Sequence, residues 1–255
     1  MKSNVFGLLV VVVGIAVFSM SGQSPKQTAK ESPSQKGLTR QRQLPIADFS
    51  EQEQIGRNVS LKQKVKASRY DKQSSQPIEE SSSVVGRIWS SHWSKGIPAL
   101  PFHQSDVVII GSVMDAKAYL SNDKTGVFSE FAVQIEEVFQ NNSKDSISAG
   151  DTFSVERFGG AVRFPSGVIQ TYETTGQGMP GVGEHFLFFL KRIDESEFSI
   201  VTGYQLNGQI VIPLDGSVVE QGNGAYPFDV YRGVNVSDFL GVIKGQLTQK
   251  SVSSL

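Results

Sequence analysis

A small group of basic and apolar side chains is the strongest candidate for ligand binding in this sequence. Arg157, Arg163, Tyr172 and Met179 lie in or beside a glycine-rich stretch of the chain. Two arginines can form forked hydrogen bonds to a carboxylate or a phosphate, and a tyrosine ring can stack on a ligand. We therefore predict that residues 158–184 form a long binding loop over a rigid scaffold. A structural hairpin whose arginines pair with acidic residues is the alternative.

The glycines of this stretch also match a nucleotide-binding fingerprint, G-x-G-x-x-G, at Gly176, Gly178 and Gly181. That motif binds a pyrophosphate when a helix starts inside it and directs its amide groups at the ligand. Here the loop leads into the apolar run FLFFL, residues 186–190, which is typical of a strand. Pro180 also removes an amide donor. The sequence therefore predicts tight turns at these glycines and no nucleotide cofactor.

The segment Ser121 to Gly126 (SNDKTG) contains two signatures of penicillin-recognising serine enzymes, S-x-x-K and K-T-G. Both signatures use Lys124, whereas the enzymes carry them on separate elements. Because six residues cannot supply both elements, we interpret the segment as a turn.

The three histidines do not indicate a metal site. His92, His103 and His185 have neither the H-x-H nor the H-E-x-x-H spacing, and no G-x-S-x-G elbow is present. We predict no catalytic residue, no metal ligand and no cofactor. One enzymatic alternative stays open, a hydrolase in which His185 acts with Glu156 or Glu173 in a site assembled by the fold.

The composition of the 255-residue chain narrows the classes of function further. It has no cysteine, which excludes a disulfide scaffold, a thiolate zinc site, a cysteine nucleophile and a lipidated cysteine anchor. Its net charge is -1, so the chain lacks the overall positive charge that attracts nucleic acid. Residues 23–83 hold eleven Lys and Arg against seven Asp and Glu, whereas residues 84–255 hold twelve against eighteen. The sequence thus predicts a basic linker joined to an acidic domain, with no nucleic-acid partner.

The N-terminus has the pattern of an export signal. Lys2 precedes an uncharged apolar run over residues 5–20, which is shorter than the roughly 20 residues that cross a bilayer comfortably. Ser19 and Ser21 offer small side chains at the positions that determine cleavage. We predict a signal peptide in residues 1–22 and an extracytoplasmic protein, secreted or periplasmic. An uncut signal anchor, which would tether the chain to a membrane through residues 5–20, stays open.

Residues 23–83 are predicted to form a polar linker that is disordered or partly helical. They are rich in Ser, Gln and Lys and offer too little apolar surface for a core. The linker is either a solvated spacer or a basic stretch that rests on anionic lipid or cell-wall polymer. One helix is indicated inside it, because Ser50 and Glu53 form a capping box ahead of Ile55, Val59 and Val65, which recur at roughly helical spacing.

Residues 84–255 carry the folded domain, and their patterns are mainly those of strands. Gly111 interrupts a β-branched run over residues 106–113, as at a bend or a barrel corner. Apolar and polar residues alternate over residues 128–139 and again over 152–158, which is typical of half-buried strands.

The end of the domain adds a hairpin and a helix. Asn207 and Gly208, between two apolar runs, predict a tight hairpin. Asn235 can cap a helix that runs to Gln249, with Phe239 on its apolar side. Short strands followed by one late helix predict a mainly β fold, a small OB-like β-barrel with a C-terminal α-helix, because closing a barrel removes the sheet edges.

The strand pattern also resembles a family of domains. The phrases DVVIIGSV, SEFAVQIEEVFQN, AGDTFSVERFGG, PGVGEHFLFFLKR and FSIVTGY, between residues 104 and 215, resemble the OB-like (netrin-like) β-barrel domain of uncharacterised exported bacterial proteins. The resemblance implies the barrel fold and carries no catalytic signature. Metalloproteinase-inhibitor domains have a similar barrel, but their disulfide framework is absent here, so inhibitor activity is not implied.

These patterns predict an exported, non-enzymatic binding or interaction module of the cell envelope, whose partner is an unknown protein, peptide or envelope polymer. Two other functions stay open, the extracytoplasmic hydrolase described above and a purely structural envelope component. A binding loop would bring Arg157, Arg163 and Tyr172 to one exposed concavity.

Overall fold

The computed structural model describes residues 44–50, 60–81, 86–89, 93–144, 146–216 and 227–252. All of these residues belong to one compact unit. The predicted signal segment, residues 1–22, and the capping box at Ser50 and Glu53 fall wholly or partly outside the described residues. No helix in the described part of the chain is long and apolar enough to cross a membrane.

Strands make up most of the regular structure. The strands are β1 (Ile46–Asp48), β2 (Arg87–Trp89), β3 (Val107–Leu120), β4 (Val127–Asn141), β5 (Thr152–Phe158), β6 (Gly160–Arg163), β7 (Ile169–Thr174), β8 (His185–Asp194), β9 (Glu197–Asn207) and β10 (Ile210–Pro213). The helices are α1 (Leu61–Ser68), a 3-10 helix (Pro227–Tyr231) and α2 (Val236–Val252).

Five of these strands close into a barrel. Their order is β3, β4, β5, β9 and β8, and β8 returns to pair with β3. All neighbours are antiparallel except β5 and β9, which run parallel. The closed barrel with its C-terminal helix confirms the predicted fold class.

The alternation of apolar and polar residues in the sequence predicts which side chains form the barrel core. Phe131, Val133 and Ile135 of β4 point into the barrel, and Val155 of β5 joins them. The polar residues between them therefore face outward, because successive side chains of a strand point to opposite faces. The interior apolar cluster is completed by Val107, Ile109, Val113, Met179, Phe186, Phe188, Leu190, Phe198, Ile200 and Leu214.

A second apolar cluster joins the barrel to α2. Phe239 and Ile243 are fully buried on one side of the helix and pack with Tyr204 and Phe228. The Asn235 side chain accepts a hydrogen bond from the Ser237 amide at 2.9 Å, which caps the helix as predicted. The late helix is thus held to the barrel by a continuous apolar contact.

A separate sheet forms outside the barrel, where the sequence predicts a long loop. Strands β6 and β7 make an antiparallel hairpin within residues 158–184. β1 pairs in parallel with β6, and β2 pairs in parallel with β7, which gives the order β1, β6, β7, β2. The predicted loop is therefore largely a hairpin that accepts an upstream strand on each of its two edges.

Two stretches of the predicted linker belong to this fold. Residues 44–50 contain β1, and residues 60–81 contain α1, which begins after Ser60. The Ser60 hydroxyl accepts a hydrogen bond from the Gln63 amide at 3.2 Å. The helix predicted from the Ser50 capping box falls mainly on residues 51–59, which lie outside the described residues.

Gly111 marks a bend in β3, as the sequence predicts. The pairing register of β3 with β4 shifts between Ile110 and Gly111. A Cβ at this glycine would lie 2.6 Å from the Gln134 carbonyl oxygen and 2.7 Å from Val133 Cγ1. The close approach of two strands therefore requires a residue without a side chain.

We expect Gly111→Ala to lower the free energy of unfolding by about 1–3 kcal/mol, the usual effect of overpacking a core. The control is Gly245→Ala in α2, where an added Cβ meets nothing within 4 Å. The control is expected to raise stability by about 0.5–1 kcal/mol, because alanine is the better helix former. Urea unfolding measures both, and a Gly111→Ala protein as stable as wild type would contradict the assignment.

Candidate functional site

The four residues predicted to bind a ligand do not meet on one surface. Arg157, Tyr172 and Met179 are buried, and Arg163 is exposed at the end of β6. Met179 belongs to the barrel core, where its Cε lies 2.6 Å from the position that a Cβ on Gly159 would take. The Tyr172 hydroxyl donates to Gln170 Oε1 at 3.2 Å inside the β6–β7 hairpin.

Arg157 is committed to an internal ion pair. Its Nη2 lies 2.9 Å from Asp215 Oδ2, and its Nη1 donates to the Gly178 carbonyl oxygen at 2.7 Å. Asp215 is fully buried and also accepts from the Thr202 hydroxyl at 2.8 Å and from the Gly178 amide at 2.9 Å. The guanidinium also lies 5.7 Å from the centre of the Trp93 ring. This geometry corresponds to the structural alternative, in which the arginine pairs with an acidic residue.

His185 lies next to a carboxylate other than the two that the hydrolase alternative requires. Its Nε2 is 2.6 Å from Glu136 Oε2, and the Ser112 hydroxyl donates to Glu136 Oε1 at 2.6 Å. In a serine hydrolase the histidine stands between the serine and the acid so that it can take the serine proton. Here Glu136 stands in the middle, and no hydrogen bond joins His185 to the Ser112 hydroxyl although the two residues are cross-strand partners. The described residues also contain no cluster of three side chains that could hold a metal ion.

The outer side of the barrel carries an acidic face that sequence reasoning did not find. We define this acidic face by Glu130 of β4, Glu156 of β5 and Glu197 of β9. Glu130 is the direct cross-strand partner of Glu156. Glu197, the first residue of β9, pairs with Ser154, two residues before Glu156 on β5. Glu156 and Glu197 are buried, and the Glu130 side chain is 18% exposed. Like charges in opposite positions destabilise a sheet unless cations neutralise them.

Helix α1 supplies the cations. The Lys66 ammonium lies 2.9 Å from Glu130 and 3.4 Å from Glu197. Arg69 places its Nη1 2.6 Å from Glu156 Oε1 and its Nη2 2.9 Å from Glu197 Oε2. Lys66 is 6% exposed, so this is a buried network rather than a set of surface pairs. The acidic face is therefore occupied by a basic segment of the same chain.

The ionisation of the network follows from burial and from these partners. Burial raises the pKa of Glu156 above its ordinary value, although the charges of Arg69 and Lys66 act in the opposite direction. Burial acts in the same way on Glu197, but the hydrogen bond from Arg69 and the charge of Lys66 outweigh it and lower the pKa of Glu197. Glu156 is thus the less easily ionised of these two carboxyl groups.

An aromatic contact accompanies the ion pairs. The Tyr70 ring stacks on Phe128 with centroids 4.4 Å apart and planes 7° apart, and on Phe158 at 6.2 Å. Burial and the neighbouring Glu156 charge raise the pKa of Tyr70, so its hydroxyl stays protonated and can donate to that carboxylate. Arg69 and Tyr70 therefore contact the acidic face as adjacent residues.

A second set of contacts holds the chain just after α1. The Lys72 amide donates to Asp123 Oδ2 at 2.7 Å, and the Asp123 amide donates to Asp71 Oδ1 at 3.1 Å. The Ile78 amide then donates to the Lys124 carbonyl oxygen at 2.7 Å, with the Ile78 side chain buried. We call residues 60–78, from the helix cap to this contact, the strap. The segment SNDKTG is a turn, as predicted, and it clamps the strap.

One sequence signal of the strap is visible in retrospect. Lys62, Lys66 and Arg69 recur at spacings of four and three, which places them on one side of a helix. The apolar residues Leu61 and Val65 lie on the exposed side, 78% and 48% exposed. Apolar periodicity predicts the buried side of a helix from its apolar residues. It therefore does not predict that the basic side of α1 contacts the barrel.

No protein-family model matches the sequence, and no curated protein matches it significantly. The fold and the acidic face therefore stand on their own geometry.

The first prediction from this site concerns the buried Arg157–Asp215 pair. Asp215→Asn keeps the shape of the side chain but leaves the guanidinium buried without its counter-ion, which typically costs about 3–5 kcal/mol. The control is Asp229→Asn, which removes a partly exposed pair with Arg232 worth about 0–1 kcal/mol. Chemical unfolding compares the two variants. Equal losses would show that Arg157 does not depend on Asp215 for its burial.

The second prediction concerns the clamp on the strap. Burial alone would raise the pKa of Asp123, but hydrogen bonds from Thr125, the Lys72 amide and Ser121 lower it below the ordinary 3.8. An aspartate whose pKa is depressed on folding stabilises the protein above pH 3.8, and that stabilisation is lost as the pH falls below this value.

We therefore expect Asp123→Asn to be less stable than wild type at pH 7 and to approach it as the pH falls below 3.8. Urea unfolding at a series of pH values measures the difference between the two proteins. Stability curves that stay parallel down to pH 2 would contradict an ionised Asp123 clamp.

Proposed function

We propose that this chain is an exported, non-enzymatic interaction module of the cell envelope, and that its barrel binds a basic helical segment on the acidic face. The observation that carries the proposal is the network formed by Lys66 and Arg69 with three carboxylates of the barrel. The strap supports this choice of ligand, because it is itself a basic helical segment that lies on the face.

The strap contacts the barrel in the manner of a ligand rather than of a core helix. Its inward residues include Lys66 and Ala67, whereas Leu61 and Val65 face outward. A helix that belongs permanently to a core normally buries its apolar side. Apart from Ile78, which is buried in an apolar cluster at the end of the strap, the contact depends on matched charge and one aromatic ring, which are features of recognition surfaces. This supports a face that exchanges its own strap for a partner segment of similar chemistry.

The arrangement supports binding better than turnover. In the described residues the carboxylates of the acidic face are paired with cations, and the Ser112 and His185 side chains form hydrogen bonds with Glu136 rather than with each other. The serine nucleophile of a triad needs a histidine placed to take its proton, and Ser112 makes no such hydrogen bond. A non-enzymatic role is therefore the simplest function for this geometry.

The location is inferred from the sequence. Lys2 and the apolar run over residues 5–20 favour export, with either a cleaved signal or an anchor that keeps the domain at the membrane. At least two cations of the predicted linker, Lys66 and Arg69, are turned toward the barrel. They bind protein carboxylates and are not directed at anionic lipid, so a protein or peptide is the partner that we propose.

Releasing the strap in the full chain tests this proposal. Lys66→Glu with Arg69→Glu places two like charges against the acidic face and is expected to detach the strap, which returns the carboxylates to water. The control, Lys64→Glu with Lys95→Glu, makes the same change of net charge at exposed side chains that belong neither to the acidic face nor to the clamp. Far-UV circular dichroism checks that both variants keep the barrel.

A fluorescent peptide of residues 60–78 then reports whether the face is open. We expect it to bind the released variant at least about tenfold more tightly than wild type, because a tethered strap competes at an effective concentration in the millimolar range. The control variant should behave as wild type. A folded released variant that binds the peptide no better than the control would overturn the proposed function.

A further inference from the structure

Positive charge alone does not describe what the acidic face contacts. Resting on the proposed function, we infer that the face recognises the sequence Lys-x-x-Arg-Tyr at the end of a helix, and that a partner peptide with this sequence displaces the strap. In the strap the three positions are Lys66, Arg69 and Tyr70. Each position meets a distinct group on the barrel.

The arginine position requires a forked cation. Arg69 spans two strands, with Nη1 on Glu156 of β5 and Nη2 on Glu197 of β9. Nη2 also approaches Asp194 Oδ2 at 3.3 Å. A guanidinium can reach several carboxylates in fixed directions, whereas a lysine ammonium is a single point of charge. Lysine at this position would therefore lose at least one charge-assisted hydrogen bond.

The tyrosine position requires an aromatic ring. Phe128 offers its face to Tyr70 at 4.4 Å, and Phe158 lies next to it at 6.2 Å. Tyr119 and Trp89 pack behind these rings at 5.5 and 4.8 Å, which fixes the orientation of the aromatic surface. Stacking depends on the ring and is lost with an aliphatic or small residue. The rings of Phe128 and Phe158 thus select an aromatic residue directly after the arginine.

The lysine position fixes the spacing and the helical form. Lys66 and Arg69 lie three residues apart on one side of α1, so both reach the face only when the segment is helical. The Tyr70 amide bonds to the Ala67 carbonyl oxygen at 3.1 Å, which turns the chain at the helix end and directs residue 70 toward the aromatic rings. Lys62, whose side chain is 72% exposed, contributes little to this recognition.

The strap also determines how tightly a partner has to bind. It occupies the face as a tethered copy of the same sequence, so an external peptide must compete with a ligand that is always present at high local concentration. A partner therefore binds the wild-type chain more weakly than the strap-released chain. The ratio of the two affinities equals the factor by which the bound strap reduces access to the face. The strap thus acts as a built-in competitor that restricts the face to abundant or tightly binding partners.

Peptide variants measured on the strap-released full chain (Lys66→Glu with Arg69→Glu) test the inference. The probes are the strap peptide of residues 60–78, the same peptide with Arg69→Lys, the same peptide with Tyr70→Ala, and a scrambled peptide of identical composition. We expect Arg69→Lys to weaken binding about tenfold or more, the value of one charge-assisted hydrogen bond. Tyr70→Ala should weaken it by about threefold or more, the value of an aromatic pair.

A change on the barrel provides the matched control. Glu156→Gln in the released chain keeps the side-chain shape and removes the charge that Arg69 contacts, so it should abolish most of the preference for arginine over lysine. Peptide binding that is equal for the strap and scrambled sequences would overturn the sequence-specific recognition and leave the basic-segment function standing. No binding of any of the four peptides would overturn the proposed function itself.

Discussion

Three carboxylates lie close together on neighbouring strands of the outer side of this barrel, and their negative charges have to be neutralised. Glu130 stands directly opposite Glu156, and Glu197 begins the next strand. Like charges in such positions repel, and an apolar cover would leave them buried without partners. A cationic cover satisfies the face, and Lys66 and Arg69 supply it. The basic segment upstream of the barrel and the acidic barrel are therefore two complementary parts of one structure.

The closure of the barrel brings these three carboxylates together. Because β9 pairs in parallel with β5, the start of β9 lies beside the middle of β5 and brings Glu197 next to Glu156. Arg69 reaches Glu156 across 87 positions of sequence. A network with such separations forms only after the strands have paired, so the strap is expected to dock late in folding. Its local stability can then be lower than that of the barrel without affecting the barrel core.

The strands, turns and bends that follow from local sequence patterns could be predicted. The contacts between charged residues that are far apart in the sequence could not. Alternation along β4, the Asn207–Gly208 hairpin and the bend at Gly111 all follow from short-range rules and are present in the structure. Arg157 shows the limit, because nothing local separates an arginine that binds a ligand from one that pairs with Asp215, 58 positions away. Helix α1 shows it as well, because apolar side chains normally form the buried side of a helix, whereas Leu61 and Val65 face solvent.

Helices α1 and α2 differ in what holds them to the barrel, and under the proposed function this difference makes α1 the one suited to exchange. Helix α2 buries Phe239 and Ile243 in an apolar cluster, a contact that is insensitive to salt and offers no specific competitor. Helix α1 is held by ion pairs whose net contribution is small after the cost of removing the charges from water, but whose geometry is selective. A contact of that kind discriminates strongly between sequences while binding each of them moderately. Under the proposed function, α2 is therefore the permanent helix, and α1, which lies over the acidic face, is the helix that a partner segment replaces.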